Sequence, residues 1–507
     1  MNSISISKRD VEKYVIEIVF RARTIQTRCT RLLAQQYASK SPISLTKTLH
    51  RICHYLEDSV VKIFQSIEWD AVDFDEQLIT DLTTLKDTDL IIRYLGEHLR
   101  YIDGAVTHKL PWSIIKSIEK LAKSIIPEIS FMFRPQWKYN YSVVTDDLKE
   151  RYRKDLREFE DITDVPVEEV LSDLKGPFHI ISFPSIERKN ILLHCLTGHE
   201  LGHLIIRKYI DKTLIENFTK KIQPEVHEII MDKYRTHFET LDMFTSLYAK
   251  QDIKNSISLV MQIWRRGLEE ILSDIIGVLI FGPAMLFSMY ELSLQKKLDH
   301  KPGYTNNFYP SWRYRLREIV KVLQRPSGRF FPLPVKEFSS DEIFRNVNGS
   351  FELIKQLTEE KFDLDIIKED KLIKIAYREV ENDIVEICQA NDYFKAELKG
   401  KIITPNSLYR DIEHLIMRLK HGLPPNAVEH SLDTRRPATM VEIINAAWFF
   451  KVSFHQELLN EHGEIDEEVF KKKDTLNRLT LKSIEYSDIE SEYKSKVRIG
   501  FKKGNNK

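Results

Sequence analysis

The residues of this chain whose types and spacing could do chemistry are His199, Glu200 and His203. They stand as His199-Glu200-Leu201-Gly202-His203, and their flanks, from Leu193 to Ile206, are apolar and free of proline, which predicts a helix. Residues four apart on a helix lie one turn above each other on the same face. The two imidazoles then stand side by side, where both can reach one metal ion with bonds of about 2.0–2.1 Å. Glu200 follows the first histidine and is placed to lean over a metal-bound water as general base.

Further along, Glu270-Ile271-Leu272-Ser273-Asp274 sets two carboxylates one helical turn apart. Two histidines and one glutamate around an open fourth position form a catalytic zinc set rather than a closed structural one. Asp274 can hold the second ring nitrogen of a ligating histidine and so fix its tautomer. Both acids run into the apolar Ile275-Ile276-Gly277-Val278-Leu279-Ile280-Phe281, and unpaired carboxylates bordering a buried segment are costly. Glu269 competes for the third position, but only Glu270 has an acid four residues later. Cys195, one turn before His199, reads as a small buried side chain, with a fourth ligand or an inhibitory thiolate as the rival reading.

His199-Glu200-Leu201-Gly202-His203 followed by Glu270-Ile271-Leu272-Ser273-Asp274 resembles the gluzincin zinc metallopeptidases, the broad clan that includes thermolysin. The resemblance covers residues 178–285. It implies zinc as cofactor, bound by His199, His203 and Glu270, with Glu200 as base and Asp274 behind a ligand. It also implies a downstream His or Tyr, sometimes aided by Arg, that stabilises the oxyanion. No motif fixes that residue. Tyr309 is the first choice because it sits at a loop-to-helix junction, with Arg315 and His300 behind it.

The 507 residues suggest two to four domains. Lys+Arg and Asp+Glu both number 76, so overall charge does not indicate a nucleic-acid partner. The four cysteines, Cys29, Cys53, Cys195 and Cys388, form no C-x-x-C and fit a reducing compartment. The first ten residues lack the apolar core of a signal peptide. The longest uncharged stretch, 275–290, is short of the roughly 20 residues a membrane span needs and reads as a buried helix. The expectation is a soluble, cytoplasmic protein.

The elements that must position these residues are mostly helical. Apolar spacing predicts helices over 11–33, 45–69, 76–98 and 112–126. From Ile18 to Leu56 there is no acid, while Arg21, Arg23, Arg28, Arg31, Lys40, Lys47 and Arg51 are basic. Internal ion pairs or a solvated face explain that stretch better than a docking face for an acidic partner. Residues 134–144 alternate like a strand, and 178–183 read as a second one. Ser185 is the expected N-cap of the helix carrying the histidines, and Gly198 and Gly202 would let another backbone pass close to it. A small sheet in front of such a helix is also the zincin arrangement, in which an edge strand pairs with an extended peptide. A Pro- and Gly-rich boundary at 325–334 precedes helices over 340–357, 364–390, 405–420 and 439–454 and a basic tail.

The expected fold is mainly α (α+β): a helical domain over 1–130, a zincin-like metallopeptidase domain with a small sheet over 131–325, and a helical domain over 326–507. The expected function is a zinc metallopeptidase acting on a peptide or protein substrate, with no membrane and no nucleic acid involved. The second reading is a regulatory or interaction protein, of the stress or phage-response type, that binds a protein partner through a zincin-like domain and its helical flanks, its protease activity latent or absent.

Overall fold

A computed structural model describes residues 7–67, 69, 74–237, 243–294, 298–300, 303, 307–324, 342–359, 370–390, 396–398, 405–429, 435–454 and 467–504. The architecture is mainly α-helical, with one sheet of three strands and one of two among the described residues. Contacts divide the chain into two compact units, Met1–Lys189 and Asn190–Lys507. The three-stranded sheet therefore belongs to the first unit and the helix carrying the histidines to the second.

In the first unit, helix α1 (Lys8–Leu33) starts at Ser7, whose hydroxyl accepts from the Asp10 backbone N–H at 3.3 Å. Its buried residues, Val11, Val15, Ile18, Ala22, Ile25, Cys29 and Leu32, recur in alternating steps of four and three. That is the seam of a helix pair, and α1 packs on α2 (Ser41–Ser66) and α3 (Phe74–Gly104). The acid-free stretch finds its counter-ions later in the chain. Arg21 pairs with Asp89 at 2.7 Å, Arg23 with Glu57 at 2.7 Å and Arg51 with Asp173 at 3.3 Å.

Helix α4 (Trp112–Ile125) leads into strand β1 (Ser130–Gln136), followed by β2 (Ser142–Val144), α5 (Leu148–Leu156), α6 (Val167–Val170) and β3 (Phe178–Pro184). The strand expected over 134–144 is two strands, because the chain turns between them: Trp137 is 91% exposed there and Gln136 Nε2 donates to the Asn140 carbonyl at 2.6 Å. Strand β3 lies in the middle, parallel to β1 and antiparallel to β2, and every one of its residues is buried. Both its edges are paired, so the free edges of this sheet belong to β1 and β2.

Buried His98 on α3 sits against Tyr94, Tyr101 and Tyr152, with ring centroids 4.7, 5.5 and 5.7 Å away. Burial first, then the charge of Arg151, push its pKa down to about 4. The folded state therefore takes up this proton only near pH 4, whereas an unfolded histidine does so near 6.5. Stability is complete above pH 6.5 and falls as the pH drops through that window, by about 3 kcal/mol at pH 4. Amide exchange in α3, corrected for its intrinsic pH dependence, should accelerate across this range and do so far less in His98→Gln. If that variant keeps the full acid sensitivity, His98 is not its source.

In the second unit, two turns of 3₁₀ helix at Ile191–Leu196 precede α7 (Thr197–Tyr209), and a π-turn at Ile210–Leu214 joins it to α8 (Ile215–His237). Ser185 is not the N-cap of the histidine helix: it opens a separate 3₁₀ turn, and α7 begins after Leu196 with no side-chain cap. Helix α8 packs on α9 (Met243–Phe281), so the 66 residues between His203 and Glu270 are taken up largely by a helical pair. The helix expected over 275–290 breaks at Gly282, whose φ of 64° suits glycine, and Pro283 opens α10 (Pro283–Ser293). Asn445 bridges that break: its Oδ1 accepts from Ala284 N at 2.9 Å and its Nδ2 donates to the Phe281 carbonyl at 2.8 Å.

The remaining elements are α11 (Trp312–Gln324), α12 (Glu342–Glu359), α13 (Lys371–Ala390), α14 (Pro405–Lys420), the hairpin β4 (Ala427–Glu429) and β5 (Arg435–Pro437), α15 (Met440–Phe454) and α16 (Glu467–Gly504). The boundary expected at 325–334 lies outside the described residues. No described helix is long and apolar enough to cross a membrane.

Candidate metal centre

The site is built where α7 packs against α9, and glycines set how closely the two helices approach. A Cβ on Gly202 would lie 2.6 Å from Ser273 Cα, and one on Gly198 would lie 2.8 Å from the Phe281 ring. Any larger residue would push the helices apart. The backbone that these two glycines admit is that of α9.

This approach brings His199, His203 and Glu270 together, with one donor atom from each lying within 4.8 Å of the others. The His199 and His203 Nε2 atoms are 2.9 Å apart. Glu270 Oε2 is 3.4 Å from His199 Nε2, and Glu270 Oε1 is 3.7 Å from His203 Nε2. Bonds of 2.0–2.1 Å in a tetrahedral site put neighbouring donors about 3.3 Å apart. The three residues fit a metal ion of that size.

The outer ring nitrogens are also engaged. His199 Nδ1 lies 2.7 Å from Asp274 Oδ1, and His203 Nδ1 lies 3.0 Å from Glu269 Oε1. An ionised carboxylate only accepts, so both Nδ1 atoms donate, and in each neutral ring Nε2 is then the bare nitrogen, facing its counterpart. Two lone pairs facing at 2.9 Å call for a cation between them, a proton or a metal ion. Glu269, the rival for the third position, is thus the residue that holds His203. Consecutive residues on a helix point about 100° apart, so Glu269 and Glu270 cannot face the same atom.

Asp274 is itself held by buried Arg315 on α11, whose Nε and Nη2 donate to its two oxygens at 2.7 Å each. Arg315 Nη1 donates to the Tyr309 hydroxyl at 3.2 Å, and that hydroxyl donates to Glu270 Oε2. Arg266, one turn before Glu270, places Nη1 3.3 Å from Glu270 Oε1 and its guanidinium 4.7 Å from the Tyr309 ring centroid. The chain before Tyr309 is strained, with positive φ at Asn307 (52°) and Phe308 (55°). It is pinned by Tyr377, whose hydroxyl donates to the Phe308 carbonyl at 3.2 Å, and by His300, whose Nε2 lies 3.0 Å from the Tyr309 carbonyl. Tyr309 and Arg315 therefore reach the ligand set, while His300 holds the backbone. Sequence reasoning did not single out Arg266; its signal was the four-residue spacing to Glu270.

The electrostatics follow from burial and these partners. Burial alone would lower the pKa of His199, but the charge and hydrogen bond of Asp274 outweigh it and hold it at about 10. Burial likewise opposes the charge of Glu270, yet His203, His199 and Arg315 hold its carboxyl well below the ordinary range. Glu200 is 4% exposed, and burial pushes its carboxyl up. Burial, reinforced by the Glu270 charge, also raises Tyr309, which stays a protonated donor at neutral pH. Cys195 packs its sulfur 2.8 Å from Ser288 Oγ, and burial pushes the thiol up to about 12, so it is a neutral core residue rather than a thiolate.

Comparisons with protein-family models, with curated proteins and with solved structures return no match to this chain. Function is therefore read from the centre itself.

Proposed function

We propose that this chain is a zinc-dependent metallopeptidase that hydrolyses peptide bonds of a peptide or protein substrate. The observation that carries this reading is the pair of Nε2 atoms 2.9 Å apart beside Glu270, with Glu200 buried on the same helix. Two imidazoles and one carboxylate favour zinc over magnesium or calcium, which prefer all-oxygen sets. When bound there, zinc supplies Lewis acidity, acidifying a water and polarising a carbonyl oxygen.

The protein's own groups do the rest. Glu200 takes a proton from the attacking water as its oxygen adds to the carbonyl carbon. It then returns that proton to the amine nitrogen as the C–N bond breaks. A carboxyl raised by burial suits both steps, because it gives up and regains a proton closer to neutrality. Asp274 and Glu269 fix which ring nitrogen of each histidine is bare, and Arg315 keeps Asp274 charged. The Tyr309 O–H leaves Glu270 to donate to the oxyanion that forms on the carbonyl oxygen.

Tyr309→Phe should lower kcat by about 10–1000-fold while metal content stays at the wild-type level. Metal loss in that variant would instead assign the hydroxyl to steadying Glu270. The reading as a whole is tested by digesting a peptide library with the zinc-loaded full chain, before and after chelation. Cleavage that chelation abolishes and zinc restores is the expected result, and no cleavage of any peptide by the loaded protein overturns it.

A further inference from the structure

Among the charged side chains around Glu270, only Arg266 reaches solvent. Its side chain is 33% exposed, against 9% for each of His199 and His203 and 4% for Arg315. Arg266 Nη1 lies 3.3 Å from Glu270 Oε1, and its guanidinium lies 4.7 Å from the centroid of the Tyr309 ring. Its Nε is buried without a hydrogen-bond partner among the described residues. The acids of the centre have other claims on them. Asp274 receives two donors from Arg315, and Glu269 holds His203. Glu270, as a metal ligand, shares its charge with the ion. No other acid pairs with Arg266 among the described residues. A guanidinium that stays charged at any working pH thus sits at the rim of the centre, beside an acid it must share.

We infer that Arg266 recognises the substrate, pairing with a carboxylate that the peptide carries beside the scissile bond. This inference rests on the peptidase reading and adds the substrate class to it. The first ground is charge. A planar guanidinium offers a carboxylate parallel N–H donors, a stronger pairing than any neutral group provides. The second ground is distance. Successive residues of a peptide lie about 3.8 Å apart. Arg266 Nη1 is 3.3 Å from a ligand atom, so an anion held by it belongs to a residue adjoining the bond that is cut. Two sources share this chemistry. One is the C-terminal α-carboxylate, which would make the protein a carboxypeptidase, and the other is a Glu or Asp side chain. A Lys side chain at the same place would meet like charge.

The test uses N-acetylated tripeptides: Gly-Phe-Ala as free acid and as amide, and Gly-Phe-Glu and Gly-Phe-Lys as amides. Calorimetry with zinc-loaded full-length Glu200→Gln gives affinities without turnover, and digestion by the zinc-loaded wild type gives the bonds cut. At least one anionic peptide should bind about 10–100-fold more tightly than the Gly-Phe-Ala amide, and the Lys peptide should bind no better than that amide. Preference for the free acid assigns the α-carboxylate, and preference for the Glu amide assigns the side chain. Adding Arg266→Met should bring that ratio below about threefold, while Arg266→Lys should keep part of it, because the charge remains and the fork is lost. Zinc affinity should stay within about threefold, less than the loss expected from removing a partner behind a ligand. If Arg266→Met fails to fold, Arg266→Lys decides alone. No preference for either anionic peptide, or a preference that survives Arg266→Met, would overturn the assignment. A fall in zinc affinity with the ratio intact would do the same and make Arg266 a residue that steadies Glu270. Cleavage without an anionic preference leaves the peptidase reading standing, and a preference removed by Arg266→Met with no cleavage overturns that reading alone.

Discussion

Glu200→Gln is expected to keep the metal and the fold while hydrolysis falls by about 10²–10⁴-fold. The amide has nearly the shape of the carboxyl, so a site that is 4% exposed still fills. Among the described residues the Glu200 carboxyl makes no hydrogen bond or ion pair, so the amide breaks no network. It loses only the ability to take up a proton. His199, His203 and Glu270 keep their donors, and Asp274 and Glu269 keep theirs in place. Metal analysis beside turnover of any peptide found in the library digestion checks both halves. An active Glu200→Gln enzyme would remove this residue from the mechanism, and loss of metal would make it part of the ligand shell.

Glu270→Ala and His203→Ala should each weaken metal binding by more than about 100-fold, because loss of a partner behind a ligand already costs about 10–100-fold. Glu270→Ala removes a donor and leaves Arg266, Arg315 and the Tyr309 hydroxyl without the carboxylate that they surround. Two imidazoles alone are fewer than the three protein ligands of a catalytic zinc site. Glu269→Gln is the graded control: it disturbs the partner of His203 Nδ1 and should cost only about 10–100-fold. Competition with a chelator of known affinity, followed by metal analysis, ranks the variants. A Glu270→Ala protein that holds metal at wild-type stoichiometry and affinity would mean that another residue is the third ligand.

Much of the helical framework was legible, because helical periodicity is local. The buried residues of α1 follow the spacing read from the chain, and α14 spans Pro405–Lys420 as expected. Where helices begin and end was less legible. Ser185 has the right chemistry for an N-cap, but the chain runs through 3₁₀ turns before α7 begins. The stretch 275–290 read as one buried helix, but how the chain passes Gly282-Pro283 depends on Asn445, more than 150 residues away, which satisfies the freed backbone groups.

The centre divides along the same line. His199 and His203 share a face because they are four apart on one helix, and that spacing holds wherever the helix lies. Glu270 over Glu269 was preferred on a similar local ground, the acid four residues later. What Glu269 does, however, depends on the rotation of α9 against α7, which is set by Gly198 and Gly202 meeting Phe281 and Ser273. The Arg315–Asp274 pair joins residues 41 apart in sequence, and Arg266, already one turn from Glu270, meets the Tyr309 ring only because α9 and the loop before α11 come together there. The sequence by itself determined which residues share a helical face, since backbone hydrogen bonds four residues apart impose that geometry without help. Only the tertiary structure decided which faces meet, because that depends on the closeness of backbones and on buried charges finding partners from distant segments.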